Sequence, residues 1–206
     1  WGSYTRGNTF NYYLSPNVSS SYTHAWGDHF FKAMAGFQME LQENSNGYTY
    51  KDGLLTSDIF SFVNANGQVL AGEDRTHWAT MGMYAKLNWN YKEIYFLEFS
   101  GRYDGSSKFP KNSRFGFFPS VSAGWRISEE AFMKPLNSVL SNLKLRGSWG
   151  NIGNQSITPY AYIPGMDAEQ AYWTVSGIKV TTLKPAALVS NSFTWEKVTT
   201  IDVGFD

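Results

Sequence analysis

The segment His29-Phe-Phe-Lys-Ala-Met-Ala-Gly-Phe-Gln-Met-Glu-Leu-Gln42 places apolar side chains at Phe31, Ala33, Ala35, Phe37, Met39 and Leu41, against polar ones at Lys32, Gln38, Glu40 and Gln42. Successive side chains of a strand point to opposite faces, so a period of two predicts a strand with one apolar and one polar side. The rule repeats along the chain. Met81, Met83, Ala85, Leu87 and Trp89 alternate with Thr80, Lys86, Asn88 and Asn90. Tyr95, Leu97, Phe99 and Tyr103 oppose Glu98, Ser100, Arg102 and Asp104. Phe115, Phe117, Val121, Ala123, Trp125 and Ile127 oppose Ser120, Ser122 and Arg126. Leu143, Leu145 and Trp149 alternate with Lys144, Arg146 and Ser148, and Ile201, Val203 and Phe205 with Thr200, Asp202 and Gly204. A further strand near Leu14 to Trp26 fits less well, because Pro16 and a row of serines interrupt it.

The connections alternate in length as well. Gly27-Asp28 and Tyr91-Lys-Glu93 are tight, whereas Gln42 to Trp78 reads as a long polar insertion, Asp104 to Arg114 as a moderate loop, and residues 151–193 as a long irregular stretch with Pro159, Pro164, Gly165 and Pro185. Short turns on one side and long loops on the other are the habit of outer-membrane barrels. Residues 128–142 are intermediate and are predicted to open with a brief helix, capped by Ser128, favoured by Glu129 and Glu130 and stopped by Pro135. Aromatic residues gather at predicted strand ends, at Trp26, Trp89 to Tyr91, Tyr95, Tyr103, Phe115 and Trp149, as an interfacial girdle would.

Composition narrows the function classes. Lys plus Arg and Asp plus Glu are each 17 among 206 residues, so the chain carries no net charge and lacks a nucleic-acid footprint. Aromatics reach 17%, with 8 Trp, 13 Tyr and 15 Phe, which suits a surface facing lipid or sugar. Without cysteine there is no disulfide framework, thiolate metal site or cysteine nucleophile. No run of about 18 apolar residues marks a membrane-spanning helix, but barrel strands need only alternate. Nor do the first residues read as a signal peptide.

No nucleophile elbow, phosphate loop or zinc-protease motif occurs, and the expectation is a chain with neither catalytic residues nor cofactor. His24, His29 and His77 lack ligand spacing, and interfacial or turn positions suit them better than a metal. Gly147, Gly150 and Gly153 follow a strand with no helix behind them, so a strand exit and turn is expected rather than a phosphate site. Glu98, Arg102, Asp104, Arg126, Lys144 and Arg146 fall on one side, which in a barrel is the lumen. They could bridge to a plug, or simply ladder as opposite-sign pairs across neighbouring strands. Tyr48, Tyr50, Phe60, Phe62, Tyr160, Tyr162, Tyr172 and Trp173 fall in the long loops, where they could stack on a ligand or pack loop against loop.

Three quoted runs carry a resemblance: Ala85-Lys-Leu-Asn-Trp-Asn-Tyr-Lys92, Arg102-Tyr-Asp-Gly-Ser-Ser107 and Arg114-Phe-Gly-Phe-Phe-Pro-Ser-Val-Ser-Ala-Gly-Trp-Arg-Ile-Ser-Glu-Glu130. With Asn142-Leu-Lys-Leu-Arg-Gly-Ser-Trp-Gly150, Gly153-Asn-Gln155, Thr194-Trp-Glu-Lys197 and Asp202-Val-Gly-Phe-Asp206, the chain resembles the SusC/RagA family of TonB-dependent transporters. Lys108-Phe-Pro110 and Trp149 depart from it, where a basic-aromatic-glycine run and a tyrosine are expected. Residues 1–78 match only in rhythm, with Gly27-Asp-His29 as the best local hint. The resemblance implies a plugged barrel in the outer membrane of a Gram-negative bacterium, a SusD-like lipoprotein partner, coupling to TonB, and oligosaccharide or peptide cargo.

The fold class expected is therefore all-β: an antiparallel transmembrane β-barrel wall of about seven strands with long extracellular loops. Apolar odd-numbered residues would face lipid. The whole of 1–206 is expected to be part of the barrel domain, with plug domain and TonB box lying elsewhere in a longer protein, since transporter barrels close with about 22 strands. The rival reading is a soluble β-sandwich carbohydrate-binding module, which would bury Phe31, Phe37, Leu97, Phe117 and Trp125 against a second sheet.

Overall fold

A computed structural model describes residues 2–136, 138–190 and 193–206. The strands are β1 (Ser3–Leu14), β2 (Asn17–Trp26), β3 (His29–Asp52), β4 (Val69–Tyr91), β5 (Tyr95–Ser106), β6 (Phe115–Arg126), β7 (Lys144–Asn154), β8 (Ala168–Val175), β9 (Ile178–Leu183) and β10 (Glu196–Phe205). One antiparallel sheet runs β1-β3-β4-β5-β6-β7-β10, with β2 also on β3, while β8 and β9 form a separate hairpin.

β1 and β2 are two halves of one strand. Leu14 faces Leu41 and Asn17 faces Gln38, so the same register continues across Ser15 and Pro16 without insertion. Pro16 removes one ladder donor, yet its carbonyl still accepts from the Met39 N–H at 3.0 Å. The wall is thus seven strands wide, as expected from the alternation.

The strand before Gly27 alternates on even positions, with Ser20 and His24 breaking its apolar series. Trp26 pairs with His29 across a two-residue turn, which flips the parity of the apolar face, so Val18, Tyr22, His24 and Trp26 align with the odd residues of β3. Every later pairing within the wall keeps parity; Tyr91 and Tyr95, for instance, close a three-residue turn. The odd-numbered rule holds from β3 onward and reverses before it.

Gly27 opens that turn at φ +57°, and nothing lies within 4 Å of where a Cβ would sit. Gly27→Ala is expected to destabilise by about 1 kcal/mol through backbone strain alone, readable as a lower urea midpoint for the refolded barrel. The neighbouring turn bonds to it, Lys92 N–H donating to the Asp28 carbonyl at 2.8 Å.

On β3 the apolar run from Phe31 to Leu41 spans about 34 Å along the strand, or about 24–28 Å in height at barrel tilt, close to the lipid-facing band of such barrels. Pairing does not stop there. β3 continues to Asp52 and β4 begins at Val69, so most of the stretch expected as a polar insertion is a projecting hairpin, flanked by β1. Alternation vanishes because both faces of this extension meet water, although the ladder continues. Tyr48 and Tyr50 therefore lie on β3, not in a loop; Tyr48 packs over Gly72, where an added Cβ would meet its ring at 2.6 Å.

Other expectations change similarly. Among the described residues of the β6–β7 connection, two 3₁₀ turns, Ile127–Glu129 and Lys134–Leu136, stand in place of a capped helix. The Ser128 N–H bonds to the Leu143 carbonyl at 3.2 Å, tying it to the start of β7. Gly147, Gly150 and Gly153 are interior to β7 and form no turn, and Trp149 sits mid-strand between Val121 and Ile201.

The apolar face is uncovered. Phe117 is 56% exposed and Met83 63%, and Phe37 and Trp125 are also exposed. A sandwich would have buried them. The small core lies on the opposite, polar face: Phe109 (1% exposed), Phe118 (6%) and Trp195 (7%), joined by Ile157 and Phe193.

Candidate functional site: the polar face and the extended end of the wall

Register places all six predicted charges on one face. Glu98 aligns with Ser122, Ser148 and Asp202 across three neighbouring strands, Arg126 aligns with Lys144, and Arg102 with Phe118. Glu98, Lys144 and Arg146 line one cavity of about 390 Å³, together with Asn88, Asn90, Ser122, Ser148 and Asp202. Arg102 and Asp104 line a second of about 150 Å³ with Gln38, Glu40 and Gln155. Arg126 stands apart at the tight-turn end.

Their partners are mostly opposite charges. Glu98 accepts from Lys86 at 2.8 Å, Arg146 lies 3.6 Å from Asp206, and Arg126 lies 3.9 Å from Glu93. Arg102 differs from the cross-strand expectation, because it forks onto both oxygens of Asp104 within the same strand, at 3.0 Å each. It also sits over the Tyr84 ring at 5.5 Å, while Lys144 sits over Phe96 at 4.5 Å. Long cationic stems on flat rings keep the wall lined without a clash of like charges.

At the long-loop end, Trp195 donates its indole N–H to the Arg114 carbonyl at 2.8 Å, and Arg114 donates to the Phe109 carbonyl at 3.1 Å. This knot pins the entry of β10 to the β5–β6 loop. Farther out, Tyr160 reaches the exposed edge of β4: its hydroxyl accepts from the His77 N–H at 3.2 Å and also contacts the His77 ring. Of the two roles open to Tyr160, ligand contact and packing, the structure shows packing. Phe62 likewise meets Tyr4 edge-on at 4.7 Å.

Tyr172 and Trp173 fall on β8, where the register with β9 shifts between Gln170 and Thr174. A bulge turns side chains out of the ladder, and Tyr172 is 97% exposed. Tyr48, Tyr50, Tyr172 and Trp173 are therefore all presented from strands. Their spacing was readable in the sequence, but the pairing that holds them was not.

At the opposite end the apolar face carries a ring ladder that adjacent sequence positions only hinted at. Tyr22, His24, Trp26 and His29 stack in turn at 5.5–6.1 Å, and Trp89, Tyr91, Tyr95 and Trp125 extend the series. His29 accepts from the Trp89 indole at 3.2 Å. Among the described residues no cluster of three metal-ligating side chains occurs.

Comparison with known proteins agrees with this geometry. A family model described as TonB dependent receptor-like, beta-barrel matches residues 1–206. The chain is 34% identical over 204 residues to the TonB-dependent receptor SusC of Bacteroides thetaiotaomicron, covering 96% of this chain and 19% of SusC. It is 34% identical over 156 residues to TonB-dependent receptor P26 of Formosa agariphila, covering 74% and 16%. Among solved structures, the RagAB peptide transporter aligns with a TM-score of 0.83 at 20% identity, covering 98% of this chain and 22% of that one, a likeness of fold. The chain spans about a fifth of the length of SusC. Similarity extends through residues 1–78, where rhythm alone had been legible. An uncovered apolar face of membrane height, backed by a charged one and matched along its length, identifies the chain as outer-membrane β-barrel wall of the TonB-dependent receptor family.

Proposed function

We propose that the protein containing this wall imports oligosaccharides or peptides across the outer membrane, with a SusD-like surface lipoprotein as partner and TonB as the source of energy. The observation that carries the reading is the polar face, which follows the apolar one through the whole membrane height with its charges held in pairs and on rings. Such a face suits a watery or plugged lumen. The similarity to SusC supports the same direction.

In this reading Glu98, Arg102, Asp104, Arg126, Lys144 and Arg146 face the lumen, and the first, fifth and sixth of these border the plug through the larger cavity. Tyr48, Tyr50, Tyr172 and Trp173 contact cargo at the extracellular end. The chain itself makes and breaks no bonds.

The test is a gene deletion in the native host, followed by growth on defined oligosaccharides and on peptides, with pull-down of the intact protein from detergent extracts. Loss of growth on one cargo class and co-purification of a lipoprotein are expected. In the complemented strain, Tyr172→Ala with Trp173→Ala should weaken cargo binding by about two- to tenfold. Unchanged growth on every substrate, with no lipoprotein recovered, would overturn the proposal.

A further inference from the structure

The apolar face is not uniform near its tight-turn end. A groove of about 490 Å³ crosses β5, β6 and β7 there, with Leu97, Ala123 and Gly147 as its floor and Tyr95, Trp125 and Leu145 along one side. Floor residues share one row, Leu97 opposite Ala123 and Ala123 opposite Gly147; the side residues share the next, Tyr95 opposite Trp125 and Trp125 opposite Leu145. Ala123 and Gly147 in one row, beside the bulkier Trp125 and Leu145 in the next, make a trough. Its surface is almost wholly apolar, and in the membrane only hydrocarbon can fill it.

The mouth of the trough is charged. Glu130, in the connection after β6, accepts from the Trp125 indole N–H at 3.0 Å and from the Tyr95 hydroxyl, both at Oε1. Those two rings are the ones that wall the groove. Neither bond uses Oε2. The paired donors hold the Glu130 carboxyl below the ordinary glutamate range, so it is ionised throughout the neutral range.

We propose that this trough and carboxylate form a binding site for one phospholipid of the surrounding bilayer, with an acyl chain along Leu97, Ala123 and Gly147 and a primary ammonium headgroup on Glu130. Charge complementarity selects the occupant: an anionic headgroup would meet a fixed negative charge, whereas an ethanolamine ammonium is attracted and can donate to the carboxylate. Nearby cations leave this charge in place, since Arg126 pairs with Glu93 on the polar face and Arg146, which borders the groove, pairs with Asp206. The inference depends on the membrane placement of the wall and is independent of the cargo.

The test uses the intact transporter in detergent, delipidated and then exposed to equal amounts of phosphatidylethanolamine and phosphatidylglycerol, with retained lipid read by native mass spectrometry. Wild type is expected to retain the ethanolamine lipid in preference. Glu130→Gln, which keeps the shape and a hydrogen-bond acceptor, should reduce that preference by about three- to fivefold. Ala123→Phe, which fills the trough from the floor, should lower retention of both lipids. No preference in the wild type, or a preference unmoved by Glu130→Gln, would overturn the headgroup assignment; retention unmoved by Ala123→Phe would overturn the groove.

Discussion

Met83→Arg is expected to destabilise the refolded barrel by about 2–4 kcal/mol, the cost of placing a guanidinium near the bilayer midplane. Met83 lies next to Ala85, the middle apolar residue of the β4 run, in the row Phe37, Met83, Tyr103 and Phe117. Its 63% exposure means that no protein group covers the new charge. The comparison is Lys86→Met, three residues along the same strand and of opposite parity, which removes an ion pair with Glu98 from the polar face. That pair is about a third exposed on both sides, so its loss should cost no more than about 1 kcal/mol. Urea titration of the intact protein in lipid vesicles reads both. Equal costs would mean that the two faces share an environment, and the membrane assignment of the apolar one would fail.

A second large effect is expected at the only tightly packed spot on the polar face among the described residues. Phe118→Ala should cost about 3–5 kcal/mol, the usual range for a buried phenylalanine. Phe118 meets Trp195 edge-on at 5.3 Å, and Trp195 lies against Phe109 at 5.2 Å. The ring occupies space that two glycines leave open: a Cβ on Gly153 would lie 2.1 Å from Phe118 Cζ, and one on Gly116 2.5 Å from it. Gly153→Leu should therefore reproduce much of the defect by displacing the same ring. Since Trp195 ties the entry of β10 to the Arg114 carbonyl, both substitutions should expose residues 155–190 to limited proteolysis and shift Trp emission to longer wavelength. Protection unchanged in both variants would show that the cluster does not anchor this segment.

Much of the fold was legible in the period-two runs, because lipid demands an apolar residue at every second position and leaves little freedom in register. The runs from His29 onward gave strand type, face and approximate ends. What escaped was the backbone pairing above the membrane. Asn44, Asn46, Tyr48 and Tyr50 on one face and Glu43, Ser45, Gly47 and Thr49 on the other are all compatible with water, so nothing in their order distinguishes strand from loop. β1 hid for the same reason, and β2 read weakly because Ser20 and His24 interrupt its even-numbered apolar series.

The candidate site divides along similar lines. The common face of Glu98, Arg102, Asp104, Arg126, Lys144 and Arg146 follows from even numbering alone. Which charge meets which does not, because ion pairing depends on side-chain reach across or along strands: Glu98 reaches Lys86 diagonally, whereas Arg102 turns to Asp104 two residues away. The packed Tyr160 and Phe62, and the displayed Tyr172, were likewise indistinguishable as aromatic loop residues.

By itself the sequence determined the class of wall, its two faces and the side with long connections, since these are set by solvent on a local, two-residue scale. Only the tertiary structure decided the height of the β3–β4 extension, the continuity of β1 with β2, the Phe109–Phe118–Trp195 knot and the trough beneath Glu130. Each of those joins residues far apart in the chain, and its existence depends on strand register and on volumes left by glycine and alanine across neighbouring strands.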